Sequence, residues 1–169
     1  MNLLRPWRAG DLASLVANAN NRKIWLNLRD LFPHPYGEAD GRIWLSRVAA
    51  LDPPTELAID REGAAVGGAG VHLGTDVDRA SAEIGYWLGE TQWGRGLGTA
   101  AVRELTTYAF DILPVNRLYA RAFTRNAASI ALLERLGYRR EGLFVDSVIK
   151  DGRLESQVFY AVRRGEWKP

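Results

Sequence analysis

Apolar positions recur at two intervals along this chain, and the changes between them mark out its elements. Leu3, Leu4 and Arg5 predict a short first strand, and Leu12, Leu15, Val16 and Ala19 then recur at the helical interval, with Asp11 placed to cap that helix. Periodicity is mixed from 24 to 31. Residues 32–37, Phe-Pro-His-Pro-Tyr-Gly, cannot be helical, because each proline disfavours the helical conformation of the residue before it. A second helix is predicted over 38–51 with Ile43, Trp44, Val48 and Leu51 as its apolar side, ended by Asp52-Pro53-Pro54. The period then changes to two, and 56–60, 64–73 and 80–88 predict an antiparallel meander of three strands. Helix returns at 99–112, with Val102, Leu105, Ala109 and Ile112 on one face and Pro114 beyond its end. A strand over 117–123, a helix over 127–136 closed by Gly137, and a hairpin of 144–150 with 154–162 around Asp151-Gly152 complete the chain.

This order predicts a mixed α/β layout with a sheet at its centre. No linker, repeat or low-complexity segment interrupts it, so residues 1–169 are expected to form a single domain. With 47% apolar and 25% charged residues, the chain is globular in composition. The net charge of +2 gives no footprint for nucleic acid. The absence of cysteine excludes disulfides, thiolate metal sites and a Cys-acyl intermediate, and no metal is expected. The N-terminal residues Met1 to Trp7 lack an apolar run of signal-peptide length, and no stretch approaches the ~20 apolar residues of a membrane span. A soluble, cytoplasmic protein is the expectation.

The chemistry is concentrated in the segment 83–99, Glu-Ile-Gly-Tyr-Trp-Leu-Gly-Glu-Thr-Gln-Trp-Gly-Arg-Gly-Leu-Gly-Thr. A strand runs into alternating glycines and then into a helix N-terminus, where unpaired N–H groups and the positive end of the helix dipole attract phosphate. A Walker A loop would need Lys-Ser/Thr after its glycines, and Gly98 is followed by Thr99-Ala100. A dinucleotide fingerprint would need a third glycine where Thr99 stands. Both are excluded, which leaves a phosphate site of another kind or a glycine loop with no ligand.

Trp93-Gly94-Arg95-Gly96-Leu97-Gly98 resembles the Gln/Arg-x-x-Gly-x-Gly/Ala loop of the GNAT N-acetyltransferases, with Trp93 where Gln or Arg is usual. An aromatic residue there is familiar in the RimJ/RimL-type branch, which acetylates ribosomal-protein N-termini and includes small-molecule relatives. Residues 27–36, 82–88 and 126–129, the last leading to Leu136-Gly137-Tyr138, also resemble that branch and extend the likeness over most of the chain. The resemblance implies the GNAT (acyl-CoA N-acyltransferase) fold, a mixed, mostly antiparallel sheet with a splayed strand pair and flanking helices. It implies acetyl-CoA as co-substrate, held at its pyrophosphate by Trp93, Gly94, Arg95, Gly96, Leu97, Gly98 and Thr99. Pantetheine would pair with the main chain of Tyr86, Trp87 and Leu88 as a pseudo-strand. Asn126 would touch pantetheine, and Ser129 would lie near the thioester sulfur, where its hydroxyl can assist the leaving thiolate. Plain core packing for the strand residues and an ordinary helix cap for Asn126 remain alternatives.

Glu83 alternates with Gly85 and Trp87 on one strand face and is the candidate base for the acceptor amine; an edge-exposed glutamate is the other reading. Phe32, His34 and Tyr36 are candidates to line the acceptor mouth, and His72, inside a strand, reads as structural. In the family segment matching 154–160, Ser156 replaces a frequent Asp, so no acceptor role is carried over to it. The expected reaction is direct transfer of acetyl to a primary amine, either a protein or peptide N-terminus or a small molecule. A CoA-binding module without turnover, and a hydrolase using a serine with His34 or His72, are the alternatives from other classes. Homodimerisation is implied by the resemblance alone.

Overall fold

A computed structural model describes residues 3–169; Met1 and Asn2, the first two residues of the N-terminal segment discussed above, lie outside the described residues. The elements follow in the order β1 (Leu4–Pro6), α1 (Leu12–Ala19), α2 (Arg22–Trp25), α3 (Glu38–Val48), β2 (Glu56–Arg61), β3 (Ala64–Leu73) and β4 (Ser81–Leu88). Then come α4 (Leu97–Ile112), β5 (Arg117–Phe123), α5 (Ala127–Arg135), β6 (Arg139–Lys150) and β7 (Arg153–Arg163). The seven strands form one mixed sheet in the order β1-β2-β3-β4-β5-β7-β6, in which only the β4–β5 pair is parallel among the pairings described.

The chain divides into two compact units. The first comprises the described part of Met1–Gly70 with Tyr86–Leu105. Its core gathers Trp7, Leu15, Ala19, Tyr36, Leu45 and Val48. The buried stripe of α3 is Gly41, Leu45 and Val48, and Ile43, expected on that face, is 71% exposed. The reason is steric: a Cβ on Gly41 would stand 2.7 Å from Leu12 Cδ1, so α3 turns its side-chain-free position toward α1. Asp11 does not cap α1 through its side chain. Its carboxylate accepts two hydrogen bonds from the Arg5 guanidinium, at 2.7 and 2.8 Å, and one from the Arg8 N–H at 2.8 Å.

The second unit comprises Val71–Gly85 and Thr106–Pro169. Leu118, Ala120 and Ala122 of β5 and Val158, Tyr160 and Val162 of β7 turn inward. In α4 the buried stripe passes from Ala109 to Leu113, the next helical step, and leaves the expected Ile112 55% exposed. The helix α5 closes as predicted: Gly137 has φ +81°, its N–H donates to Glu134 O and the Tyr138 N–H to Leu133 O. β6 begins at Arg139 and not near 144, because Arg139, Arg140 and Glu141 carry no alternating apolar signal at this sheet edge. The chain end is tied down by Arg164, whose guanidinium donates to the carbonyls of Phe110, Leu113 and Val115.

Candidate functional site

The glycine turn is built by main chain and held in place by side chains around it. The Gly89 N–H donates to Val66 O at 2.8 Å, and the Trp93 indole N–H donates back to Leu88 O at 2.7 Å. Trp93 therefore braces the turn against the end of β4. Glu90 accepts from Asn21 at 2.7 Å and from Lys23, and these two donors hold its carboxyl below the usual range, Lys23 contributing more. Gln92 accepts from Arg61 at 2.5 Å. Gly94 and Gly96 have φ of +73° and +75°, a backbone that side chains rarely tolerate. The first helical bond of this end of α4 runs from the Ala100 N–H to Gly96 O, at 3.1 Å. The N–H groups from Gly94 to Thr99 find no acceptor among the described residues, which is the donor set that a pyrophosphate requires. No metal ligand cluster of three or more His, Asp or Glu occurs among the described residues.

Upstream, β4 pairs with β5 at Ser81↔Arg117, Ala82↔Leu118 and Glu83↔Tyr119. Tyr86, Trp87 and Leu88 lie beyond that paired stretch. The Trp87 side chain is committed to the first unit: its ring packs edge-on to Phe32 at 5.6 Å, and its indole lies over Gly68. Any contact of Trp87 with pantetheine would be made by its main chain. Of the three expected acceptor-mouth residues, Tyr36 is a core residue, 4% exposed and 5.1 Å from the Phe32 ring. Burial and the Asp40 charge push its phenol up to about 12. His34 is exposed and stacks on Trp25 at 5.5 Å, and Phe32 is half-buried. Glu56, which no sequence motif marks, lies across Gly70, where a Cβ would come within 2.1 Å of its Oε2. Burial pushes its carboxyl up to about 7 against the opposing pull of Arg47.

In the second unit, Glu83 is held by a bidentate fork: Arg121 Nε donates to Oε1 at 3.0 Å and Nη2 to Oε2 at 2.5 Å. These bonds raise the Arg121 guanidinium above its usual value. Arg121 stands over the Phe159 ring, and Arg117 over Tyr119. Together with Asp78 and Leu73 these residues line an open cavity of about 460 Å³ on the face that carries Glu83. The alternation Arg117, Tyr119, Arg121 is a signal that could have drawn attention to Arg121, but its pairing with Glu83 requires the β4–β5 register. Asn126 is a helix cap, its Oδ1 accepting from the Ser129 N–H at 3.2 Å. That places Ser129 in the first turn of α5, half-buried. Ser156 holds the irregular stretch of β6: its Oγ accepts from the Asp146 N–H at 2.9 Å, where Asp146 has φ +44°.

The chain is similar to known proteins in sequence and in fold. Residues 3–139 match the model of the acetyltransferase (GNAT) domain. The putative ribosomal N-acetyltransferase YdaF of Bacillus subtilis is 33% identical over 99% of this chain and 92% of its own length. The [ribosomal protein uS5]-alanine N-acetyltransferase of Escherichia coli is 30% identical over 51% of this chain and 44% of its own. In fold, the chain resembles Mycobacterium smegmatis RimJ, solved in complex with CoA-disulfide, with a TM-score of 0.84 at 24% identity, over 96% of this chain and 82% of that one.

Proposed function

We propose that this chain, which belongs to the GNAT acetyltransferase family and draws its acetyl group from acetyl-CoA, acetylates the α-amine of a protein N-terminus. The observation that carries the acceptor reading is the open cavity beside Glu83. It is floored by Tyr119 and Phe159, walled by Arg117, Arg121 and Asp78, and leaves room for the chain that follows the amine. The name of the full-length relative, a putative ribosomal N-acetyltransferase, supports it.

In this reading the turn from Trp93 to Thr99 holds the pyrophosphate through its N–H groups, with Arg95 adding charge. Pantetheine runs back along β4 on the main chain of Tyr86, Trp87 and Leu88, and the Asn126 amide and Ser129 meet its far end. The neutral amine attacks the thioester carbonyl directly, and Ser129 hydrogen-bonds the departing thiolate. Phe32 and His34 border the acceptor, whereas Tyr36 supports them from the core. Glu83, paired with Arg121, offers its carboxylate lone pairs as hydrogen-bond acceptors beside the amine; acting as the base itself would break the fork. The reading extends to a single acetyltransferase domain over residues 1–169, a homodimer and a cytoplasmic location. No helix among the described residues is long and apolar enough to cross a membrane.

The test is a panel of N-terminal peptides, amino acids and spermidine with release of free CoA as the signal. Peptides should be preferred, with kcat/KM rising through about pH 7.7 as the α-amine loses its proton. Preference for spermidine with no peptide activity would overturn the acceptor assignment. Ser129→Ala should lower kcat about 10-fold and leave acetyl-CoA affinity nearly unchanged, as expected for a contact made chiefly in the transition state; an unchanged kcat would remove Ser129 from the mechanism.

A further inference from the structure

We infer that His72 is the group that takes the proton from the attacking amine. Two main-chain bonds set the register of β3 on β4: the Gly74 N–H donates to Ser81 O and the Gly89 N–H to Val66 O. Both belong to one antiparallel register, which puts His72 opposite Glu83 and on the same face. The next position of β4 on that face is Gly85, and His72 Nε2 lies 3.6 Å from where a Cβ on Gly85 would stand. The imidazole thus reaches across β4 in the space that a glycine leaves. That place immediately follows Glu83, the last β4 residue paired with β5.

The chemistry of the neighbours selects the imidazole over the carboxylate. Both oxygens of Glu83 accept from Arg121, so a proton arriving there would cost the ion pair. Histidine is exposed at this position, and imidazole is the side chain most often used as a general base. Glu83 stands opposite it in that register, already paired with Arg121, and Arg117 and Asp78 lie on the same sheet face. This assignment rests on the proposed path of pantetheine along β4, the strand that the imidazole reaches over at Gly85.

The step balances. The amine lone pair forms the C–N bond at the thioester carbonyl, and the proton released from that nitrogen passes to Nε2, which requires the tautomer protonated at Nδ1. The tetrahedral centre then collapses with loss of the C–S bond, CoA leaves as a thiolate that Ser129 hydrogen-bonds and solvent protonates, and the imidazolium returns its proton to solvent.

Two measurements test it. With diethylpyrocarbonate and mass spectrometry, saturating acetyl-CoA should slow modification of His72 severalfold relative to the protein alone; an unchanged rate at His72 overturns the placement without any acceptor being known. In turnover, His72→Ala and His72→Gln should lower kcat about 100-fold on whichever of an N-terminal peptide or spermidine the wild type prefers. Acetyl-CoA affinity by calorimetry should hold, and added imidazole should restore part of the His72→Ala rate. Wild-type kcat in both variants overturns the inference, as does a loss that imidazole leaves untouched. Failure of the α-amine reading would show separately, in the wild-type preference for spermidine.

Discussion

Along β3, Gly67, Gly68 and Gly70 are hemmed in, whereas Gly94 and Gly96 in the turn have nothing within 4 Å of where a Cβ would stand. A Cβ at 67 would lie 2.4 Å from the Trp87 carbonyl oxygen, and one at 68 would lie 2.7 Å from Trp87 Nε1. None of the β3 glycines has a positive φ; both turn glycines do. The first set is glycine because its neighbours leave no room, and the second because of its backbone conformation. A crowded glycine reports packing. An uncrowded one with positive φ, followed by a helix start with unpaired N–H groups, marks a place where main chain can meet a ligand.

The contrast is broken most forcefully at Gly67. Gly67→Ala drives a methyl into backbone that cannot step aside, so the loss in urea unfolding should be about 3 kcal/mol or more, at the upper end for overpacking. Near-wild-type stability would show that the crowding is not real. At Gly70 the obstacle is the far end of the Glu56 side chain, and there the sharper probe is the carboxylate. Its pKa is raised from 4.5 to about 7, so the folded chain binds that proton more tightly than the unfolded one. The stabilisation is complete below about pH 4.5 and is lost as pH rises through 7. Glu56→Gln should therefore stabilise the protein by about 3 kcal/mol at pH 8 and by much less at pH 5, at about 1.4 kcal/mol per pKa unit. Equal effects at both pH values would remove burial as the cause. Smallest is Gly94→Ala, in which only the left-handed backbone is penalised, by about 1–2 kcal/mol. A loss as large as that of Gly67→Ala would erase the distinction.

The same contrast separates what the linear sequence carries from what it does not. The turn is legible because its strand end, glycine spacing and helix start are contiguous, and the strand and helix order follows from periodicity for the same local reason. Features that depend on distant partners are not legible. Periodicity puts Ile43 on the core face of α3, because the need for a bare Gly41 against Leu12 lies on another helix. Loop position makes Tyr36 a mouth residue, although its ring belongs to the first unit's core. The fork between Glu83 and Arg121 joins residues on different strands, and the reach of His72 over Gly85 depends on how β3 registers on β4. Such side-chain sites follow from register, which a linear pattern does not carry.

On the proposed assignment, main-chain N–H groups around Gly96 hold the acetyl-CoA pyrophosphate, and calorimetry on Gly96→Glu tests this most directly. A side chain with negative charge would then stand where the phosphates must lie, on a residue with open space around it. The variant should keep a cooperative melt, with at most the modest loss of a strained backbone position, and show no acetyl-CoA binding heat where the wild type binds. Undiminished binding by a folded Gly96→Glu protein would contradict the assignment of the turn.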